Sequence, residues 1–450
     1  MRILFANKEK TFRITGMNFL GKTFTSWQKL PLYVRTLAGM ALGVIAGISM
    51  GNDASVFYKP GSVLMALVQM LAAPVAFFAI VHALAGAKIE KGKTGKLITL
   101  LATNTVVAIL IGLAVANTIK PGVRRSITAE DSARMEQQKN SIAGEIAQAE
   151  AEEKKSAPQD KVYQILEKLP RSVMGPFTDG GSVIGVIVLA LMLGLALRQV
   201  SPNIEATTAV LKVFMDAFIA MLHWIVQLVP IIVFGVVAAE VGANGLSSFV
   251  SLLWLVIAVL LALSLQFIYY MTRIYLQSWV TPRHLLRSCR DALVMAFSTA
   301  SSTATMPVTF ECLVNNVKVR KQSANLGALV GANFNNDGTA LYEAMAALFI
   351  AQLLGRDLDM SQQLIIVLCA VAASVGAAGI PSAGLITMTL VLTAVGLPLE
   401  YSLLLIPVDW FLDRFRTMIN VCGDLCVSCV LDGKTPATAA DLAEPQGNMH

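Results

Sequence analysis

The sequence predicts an all-α polytopic membrane protein. Three observations carry this: the composition, one apolar stretch with a one-sided row of charge, and two apolar segments broken near their middles. Of 450 residues, 55% are hydrophobic and 14% charged, and mean hydropathy is +0.65. Soluble chains carry about 25% charge. The net charge of +6 is no nucleic-acid signal, because most clustered Lys and Arg flank apolar spans, as the positive-inside rule expects. The six cysteines sit mainly within or beside spans and imply no secreted disulfide framework. No short apolar core with a cleavage site precedes residue 30, so no cleaved signal peptide is expected.

Residues 1–30 hold Arg2, Lys8, Lys10, Arg13, Lys22 and Lys29 and read as a cytoplasmic segment. Spans follow at 31–50, 62–85 and 97–119. Lys88, Lys91, Lys93 and Lys96 put the link between the second and third spans in the cytoplasm. Residues 121–172 form a polar insertion on the outer side. Its Glu, Lys, Gln and Ala read as a solvated helix with mixed i, i+4 charges. Apolar segments resume at 183–199, 206–240 and 249–277. Pro230 predicts a kink in the second of these. Arg273, Arg283, Arg287 and Arg290 mark a further cytoplasmic loop.

Residues 291–314 hold a Ser, Thr and Ala run ending in Pro307. The segment is too polar, and too short on each side, to cross as one helix. It reads as a re-entrant hairpin, tolerated only where it lines a cavity or is buried in protein. The next span, 324–353, is interrupted by Asn333, Asn335, Asn336, Asp337 and Gly338. Asn–Asp–Gly favours a local turn over helix. Unwound backbone there would expose carbonyls beside Asn335 and Asp337, the way transporters build cation sites; a polar kink that only packs is the bland alternative. Residues 363–396 repeat the hairpin pattern from the other side, with a tip over 374–384.

The last span, 401–431, carries Asp409, Asp413, Arg416, Asn420 and Asp424 within a stripe of roughly 80° at about 100° per residue. Arg414, Cys422, Cys426 and Cys429 point elsewhere. Charge facing lipid costs about 2.5–3.5 kcal/mol per residue, so the row must face protein or a watery cavity. Asp413 and Arg416 could simply pair with each other. The functional reading is a site for a polar solute, with Arg416 holding a carboxylate through parallel hydrogen bonds. An aspartate would take an ammonium, and Asn420 and Asp424 would offer hard oxygens to a small cation. The count is eight transmembrane segments and two hairpins. Hairpins entering from opposite sides point to an inverted-repeat transporter with a midplane site. Residues 433–450 form a polar cytoplasmic tail.

At these residues the chain resembles the dicarboxylate/amino acid:cation symporter family, which includes the glutamate transporters. The resemblance covers roughly 30–120 and 173–432. It rests on SSTATMPVT at 301–309, NNDGTALY at 335–342, GAAGIPSAG at 376–384 and VDWFLDRFRTMINVCGD at 408–424. It implies that Arg416 binds a side-chain carboxylate and Asp413 the amino group. Thr417 and Asn420 would contact the amino and α-carboxylate groups. Ser302, Ile380 and Gly384 would give hairpin contacts, and Thr339 would lie beside the substrate. One sodium would use Gly331, Asn335, Asn420 and Asp424, and another Asn104, Thr105, Asn335 and Asp337. A third, closed by the second hairpin, would involve Asn333, Ser374, Val375 and Ala377. Asn333, Asn336, Ala377 and Ser382 depart from the family pattern, and the first three put the selectivity of that third site in question.

Glu343 matches the position of a titratable glutamate in proton-coupled members. Asn335, Thr339 and Glu343 share a helix face, and burial favours a protonated carboxyl. Arg414 or Arg416 nearby would oppose that, so substrate could switch it. A permanently neutral glutamate with no part in turnover is the alternative. Arg414 beside Asp413, with Ala300 on the first hairpin, also follows those members.

The resemblance further implies an elevator-type secondary transporter that assembles as a homotrimer in the inner (plasma) membrane. Scaffold spans would lie in 31–86 and 173–245. A moving unit would comprise 87–120 and 246–432. The expected partners are a small anionic amino acid, membrane lipid and further copies of the chain, with no nucleic acid. No cofactor is expected; sodium is the expected co-transported ion and a proton a possible second. Competing substrates are a C4-dicarboxylate or cystine, driven by protons only. Asp413 argues against a plain dicarboxylate, which has no ammonium to pair with it. An intramembrane protease would place aspartates in two spans, but neither a Gly-x-Gly-Asp nor a Gly-x-Ser-Gly motif is present.

Overall fold

A computed structural model describes residues 30, 32–86, 94–123, 172–177, 183–200, 204–376 and 383–438. Residues 124–171 of the polar insertion and 377–382 at the tip of the second hairpin, with Ala377, Ile380 and Ser382, therefore lie outside the described residues. The described chain is helical, with no strand.

Helix α1 (Leu32–Met50) and a 3₁₀ segment (Gly51–Tyr58) lead into α2 (Lys59–Gly86) and α3 (Thr94–Ile119). The long 206–240 segment is two helices, α5 (Ile204–Val226) after α4 (Val183–Val200), and then α6 (Val229–Asn244). The expected kink at Pro230 is a full break one turn earlier. Proline sits in the first turn of α6, where its missing N–H costs nothing. Helix α1 lies on α6 through Gly39, Gly43 and Gly47. A β-carbon at Gly43 or Gly47 would come within 2.6 Å of the Phe234 carbonyl oxygen or 2.7 Å of that of Ala238. Close backbone approach through small residues is how apolar helices associate where no hydrophobic force separates them from lipid.

Helix α7 (Ser247–Gln277) is 31 residues long, about 46 Å at 1.5 Å per residue. Arg273 lies inside it rather than in the loop expected there. The first hairpin is α8 (Pro282–Ser288), α9 (Arg290–Thr299) and α10 (Ser302–Glu311), the last extended by a wider π-type turn over Cys312–Val317. Ala300 takes a left-handed conformation with φ +50° and closes α9. Ser301 caps α10 by accepting from the Ala304 N–H at 3.1 Å. The polar tip thus supplies both the stop and the restart.

The broken span runs α11 (Lys321–Ala324), a π-type stretch Asn325–Val330, α12 (Gly331–Phe334) and α13 (Asp337–Leu353). Asn335 and Asn336 are the unwound pair, with ψ of 60° and 50°. The second hairpin has arms α14 (Met360–Gly376) and α15 (Ala383–Ala394), and the chain ends in α16 (Ile406–Asp432).

By length and hydropathy, three described helical runs can cross a bilayer: Val34–Tyr58, Gly95–Ile119 and Phe249–Gln277. Three of the other expected spans fall short of that criterion for local reasons. The Val229–Ala243 run is short, α13 begins only after the Asn335–Asn336 break, and α16 carries the charge row.

Among the described residues two main cores are separate in composition, with a small third cluster where Ile80 and Val81 of α2 meet Ala190 of α4. The larger joins α3, α7–α10, α13–α16 and the segments between. The smaller joins α2, α5 and α6, with Ala373, Leu390 and Ile406 packed onto it. All six cysteines are free and buried.

Candidate functional site

Helix α16 supplies the charged row and α13 faces it. Arg416 is fully buried. Its Nη2 donates to Asp413 Oδ1 at 2.7 Å and lies 3.0 Å from Asp409 Oδ1. Its guanidinium carbon is 4.1 Å from the centre of the Tyr342 ring. Nε and Nη1 have no hydrogen-bond partner. Gly384, in the first turn of α15, leaves space against this group: a β-carbon there would lie 3.1 Å from Nη1 and 3.2 Å from Nη2. A buried guanidinium with two unsatisfied nitrogens is strongly biased toward an acceptor, and a carboxylate is the acceptor whose geometry matches.

Arg414 turns the other way. Its Nη1 donates to the Phe297 and Ser298 carbonyls at 2.9 and 2.8 Å, and its guanidinium lies over Trp410. It caps the carbonyl end of α9, a favourable place for a cation. Of the two arginines expected near Glu343, Arg416 is therefore the one in range. Glu343 is fully buried, and neither carboxyl oxygen has a hydrogen-bond partner. Thr387 of α15 lies beside it.

One turn further along α16, Asn420 holds the break in place. Its Oδ1 accepts from the Gly338 N–H at 2.8 Å. Its Nδ2 donates to Asn336 Oδ1 at 3.2 Å and to Thr339 Oγ1 at 3.3 Å. The departure at Asn336 thus has a structural role. Asn335 Nδ2 donates to Asp424 Oδ1 at 3.2 Å and to the Asn420 carbonyl at 3.4 Å. Asn335 Oδ1 is buried without a partner. A β-carbon on Gly331 would meet Asp424 Oδ1 at 2.6 Å, so only glycine lets this backbone approach the carboxylate. Gly331, Asn335, Asn420 and Asp424 are therefore gathered in one place, with an unsatisfied oxygen among them.

Asn104, Thr105 and Asp337 form a third cluster. Thr105 Oγ1 donates to Asp337 Oδ1 at 2.6 Å. The Tyr270 hydroxyl donates to Asp337 Oδ2, and Arg273 Nη1 donates to Asn104 Oδ1.

Ser302 is buried in the first turn of α10, its hydroxyl 3.3 Å from the Ala332 carbonyl. Thr417 is buried on α16. The backbones of Ser374 and Val375 lie in the last turn of α14 and that of Asn333 in α12. The expected hairpin contact at Ile380 and the third-site position Ala377 fall outside the described residues.

Four residues escaped the sequence reading: Tyr342, Gln266, Tyr270 and Arg273. The last three stand at i, i+4 and i+7 of α7, a one-faced polar pattern in an apolar helix. That spacing is visible in the sequence, whereas Arg273 by itself looks like the start of the cytoplasmic loop. Asp409, on the same stripe, is the second carboxylate paired with Arg416.

Residues 32–434 match the family described as "Sodium:dicarboxylate symporter family". Excitatory amino acid transporter 3 of Mus musculus is 32% identical over 437 residues, 87% of this chain and 83% of that protein. Excitatory amino acid transporter 1 of Ambystoma tigrinum is 32% identical over 443 residues, 86% and 80% of the two chains. An excitatory amino acid transporter of Caenorhabditis elegans is 30% identical over 445 residues, 89% and 87%. A match spanning both cores and the whole charged helix is specific to one family of membrane transporters, none of them an enzyme: the chain belongs to the sodium:dicarboxylate symporter family.

Proposed function

We propose that the chain is a secondary symporter of acidic amino acids, glutamate or aspartate, coupled to sodium and to a proton. The observation that carries this reading is the buried Arg416 with two unpartnered nitrogens and Asp413 held at 2.7 Å from it. A substrate with a carboxylate and an ammonium answers both partners. Its side-chain carboxylate takes Arg416, and its ammonium takes Asp413, leaving Asp409 to balance the guanidinium. Thr417 and Asn420 then meet the amino and α-carboxylate groups, with Ser302, Ile380 and Gly384 closing from the hairpins and Thr339 alongside. A plain dicarboxylate would bring further negative charge beside Asp409 and Asp413 with no ammonium to offset it, which is costly at a low-dielectric site.

Sodium is assigned to Gly331, Asn335, Asn420 and Asp424, where an unsatisfied amide oxygen stands beside a carboxylate. A hairpin-closed position involving Asn333, Ser374, Val375 and Ala377 is a further candidate. The proton is assigned to Glu343, whose unpartnered buried carboxyl is cheapest when neutral. Movement is of the elevator type: the unit of 87–120 and 246–432 travels against a scaffold of 31–86 and 173–245. The protein assembles as a homotrimer in the plasma (inner) membrane, with both termini cytoplasmic.

Calorimetric titration of glutamate, aspartate, succinate and cystine into purified protein, with and without sodium and at two pH values, tests the reading. Tight binding of glutamate or aspartate that strengthens with sodium is expected. Binding of succinate in preference to aspartate overturns it.

A further inference from the structure

The face of α7 that carries Gln266, Tyr270 and Arg273 is turned into the larger core. It meets the Asn104–Thr105–Asp337 cluster, three of the four residues expected from resemblance to hold a second sodium; the fourth, Asn335, directs its amide nitrogen to Asp424 in the first sodium cluster. The oxygens of the Asn104–Thr105–Asp337 cluster are already engaged. Asp337 accepts from the Thr105 hydroxyl on one oxygen and from the Tyr270 hydroxyl on the other. Asn104 Oδ1 accepts from Arg273 Nη1, and the Asn104 carbonyl accepts from Gln266 Nε2 at 3.4 Å. Tyr269, whose hydroxyl accepts from Arg273 at 3.1 Å and whose ring lies under the guanidinium, fixes that side chain from behind.

A sodium ion needs several oxygens whose lone pairs are free to face it. Here the amide oxygen of Asn104 faces an N–H donor. The donor belongs to a fixed positive charge within Coulombic range of Asp337, and a second cation beside it would be repelled. Asp337 and Asn104 are both fully buried, so the carboxylate requires a compensating charge. Arginine stays charged in any environment a protein offers, so it supplies that charge permanently.

We propose that Arg273 is a tethered cation that stands in the second cation position, with Tyr270 completing the shell of Asp337, so that this position takes no sodium. The inference deepens the proposed function by removing one ion from its coupling, and it depends on that reading only for the choice of sodium as probe.

The test is equilibrium binding of radioactive sodium to the purified full-length protein, counted per chain, in the parent and in Arg273→Met, Arg273→Lys and Arg273→Met/Asp337→Asn. Arg273→Met should bind one sodium more than the parent. Arg273→Lys, which keeps a charge, should gain none, and the double variant should lose the gain. A monodisperse Arg273→Met protein that binds the same number as the parent overturns the proposal, as does a gain that survives Asp337→Asn. Should Arg273→Met fail to fold, Thr105→Val decides. It removes one ligand of the disputed position, so an unchanged sodium count supports the proposal and the loss of one sodium overturns it. A parent that binds no sodium overturns the sodium part of the proposed function, while a gain in Arg273→Met would still support the tethered cation.

Discussion

Arg416 and Tyr342 face each other across the interface of α16 and α13, with the guanidinium carbon 4.1 Å from the ring centre. Both side chains are fully buried. The ring holds the planar cation by one face, while the edge bearing Nη2 is taken by Asp409 and Asp413. Aromatic contact of this kind contributes about 1–2 kcal/mol to a desolvated cation. Tyr342→Leu should therefore weaken substrate binding about 5- to 30-fold, and Tyr342→Phe, which keeps the ring, should stay within a few-fold of the parent. Calorimetric affinities for aspartate check both; equal loss in the two variants would assign the effect to the hydroxyl instead.

Arg416 sets the charge class of the substrate. Arg416→Cys or Arg416→Thr should abolish acidic amino acid uptake and admit small neutral amino acids. Loss of a buried charge-assisted pair costs about 2–5 kcal/mol, which is roughly 30-fold to several thousand-fold in affinity. Competition uptake with aspartate, serine and alanine reads the change. Unaltered aspartate affinity in either variant removes Arg416 from the site.

Asp424 is expected to act on the ion before the substrate. It is bonded to Asn335 at 3.2 Å and lies against Gly331, away from the Arg416 cluster. Asp424→Asn removes the charge and keeps the shape. The sodium concentration for half-maximal uptake should rise at least tenfold, while the ranking of glutamate, aspartate and neutral amino acids stays as in the parent. A changed ranking with unchanged sodium dependence would contradict the assignment.

Glu343 is expected to carry the proton. Its buried carboxyl has no hydrogen-bond partner on either oxygen and sits within range of Arg416. Proteoliposomes with separately imposed sodium and proton gradients separate the two drives. Parent protein should respond to both, and Glu343→Gln to sodium only. An equal response of parent and variant to the proton gradient would leave Glu343 as a neutral packing residue.

Asp432 fastens the far end of α16. Its carboxylate accepts from the Trp279 indole at 2.8 Å and the Arg320 N–H at 3.1 Å, and pairs with the Arg320 guanidinium at 3.3 Å. Its side chain is fully buried and that of Arg320 is 25% exposed. Asp432→Ala should cost about 2–4 kcal/mol, less than for a fully buried pair because of that exposure. The thermal unfolding midpoint should fall by several degrees with substrate selectivity unchanged. A selectivity change would mean that the end of α16 communicates with the site.

The class of the protein, its broken span and its charged last helix were legible in the sequence, because a bilayer leaves few places for polar residues. Asp409, Asp413, Arg416, Asn420 and Asp424 could lie on one helix face only by facing protein or water. Asn335 and Asp337 likewise announced unwound backbone, and the break falls at Asn335–Asn336. What periodicity could not supply was which helix answers each polar group. Arg273 read as the edge of a loop, because a basic residue near the end of an apolar run is usually an anchor at the interface. Only the packing of α7 on α3 turns it inward to Asn104. Tyr342 has no partner that its own helix could reveal, and only α16 places a guanidinium over its ring. The glycines of α1 became a seam only when α6 was laid against them. One helix's pattern determines which face is polar or small. The partner of that face is fixed by contacts between residues up to hundreds of positions apart, and no local rule encodes those.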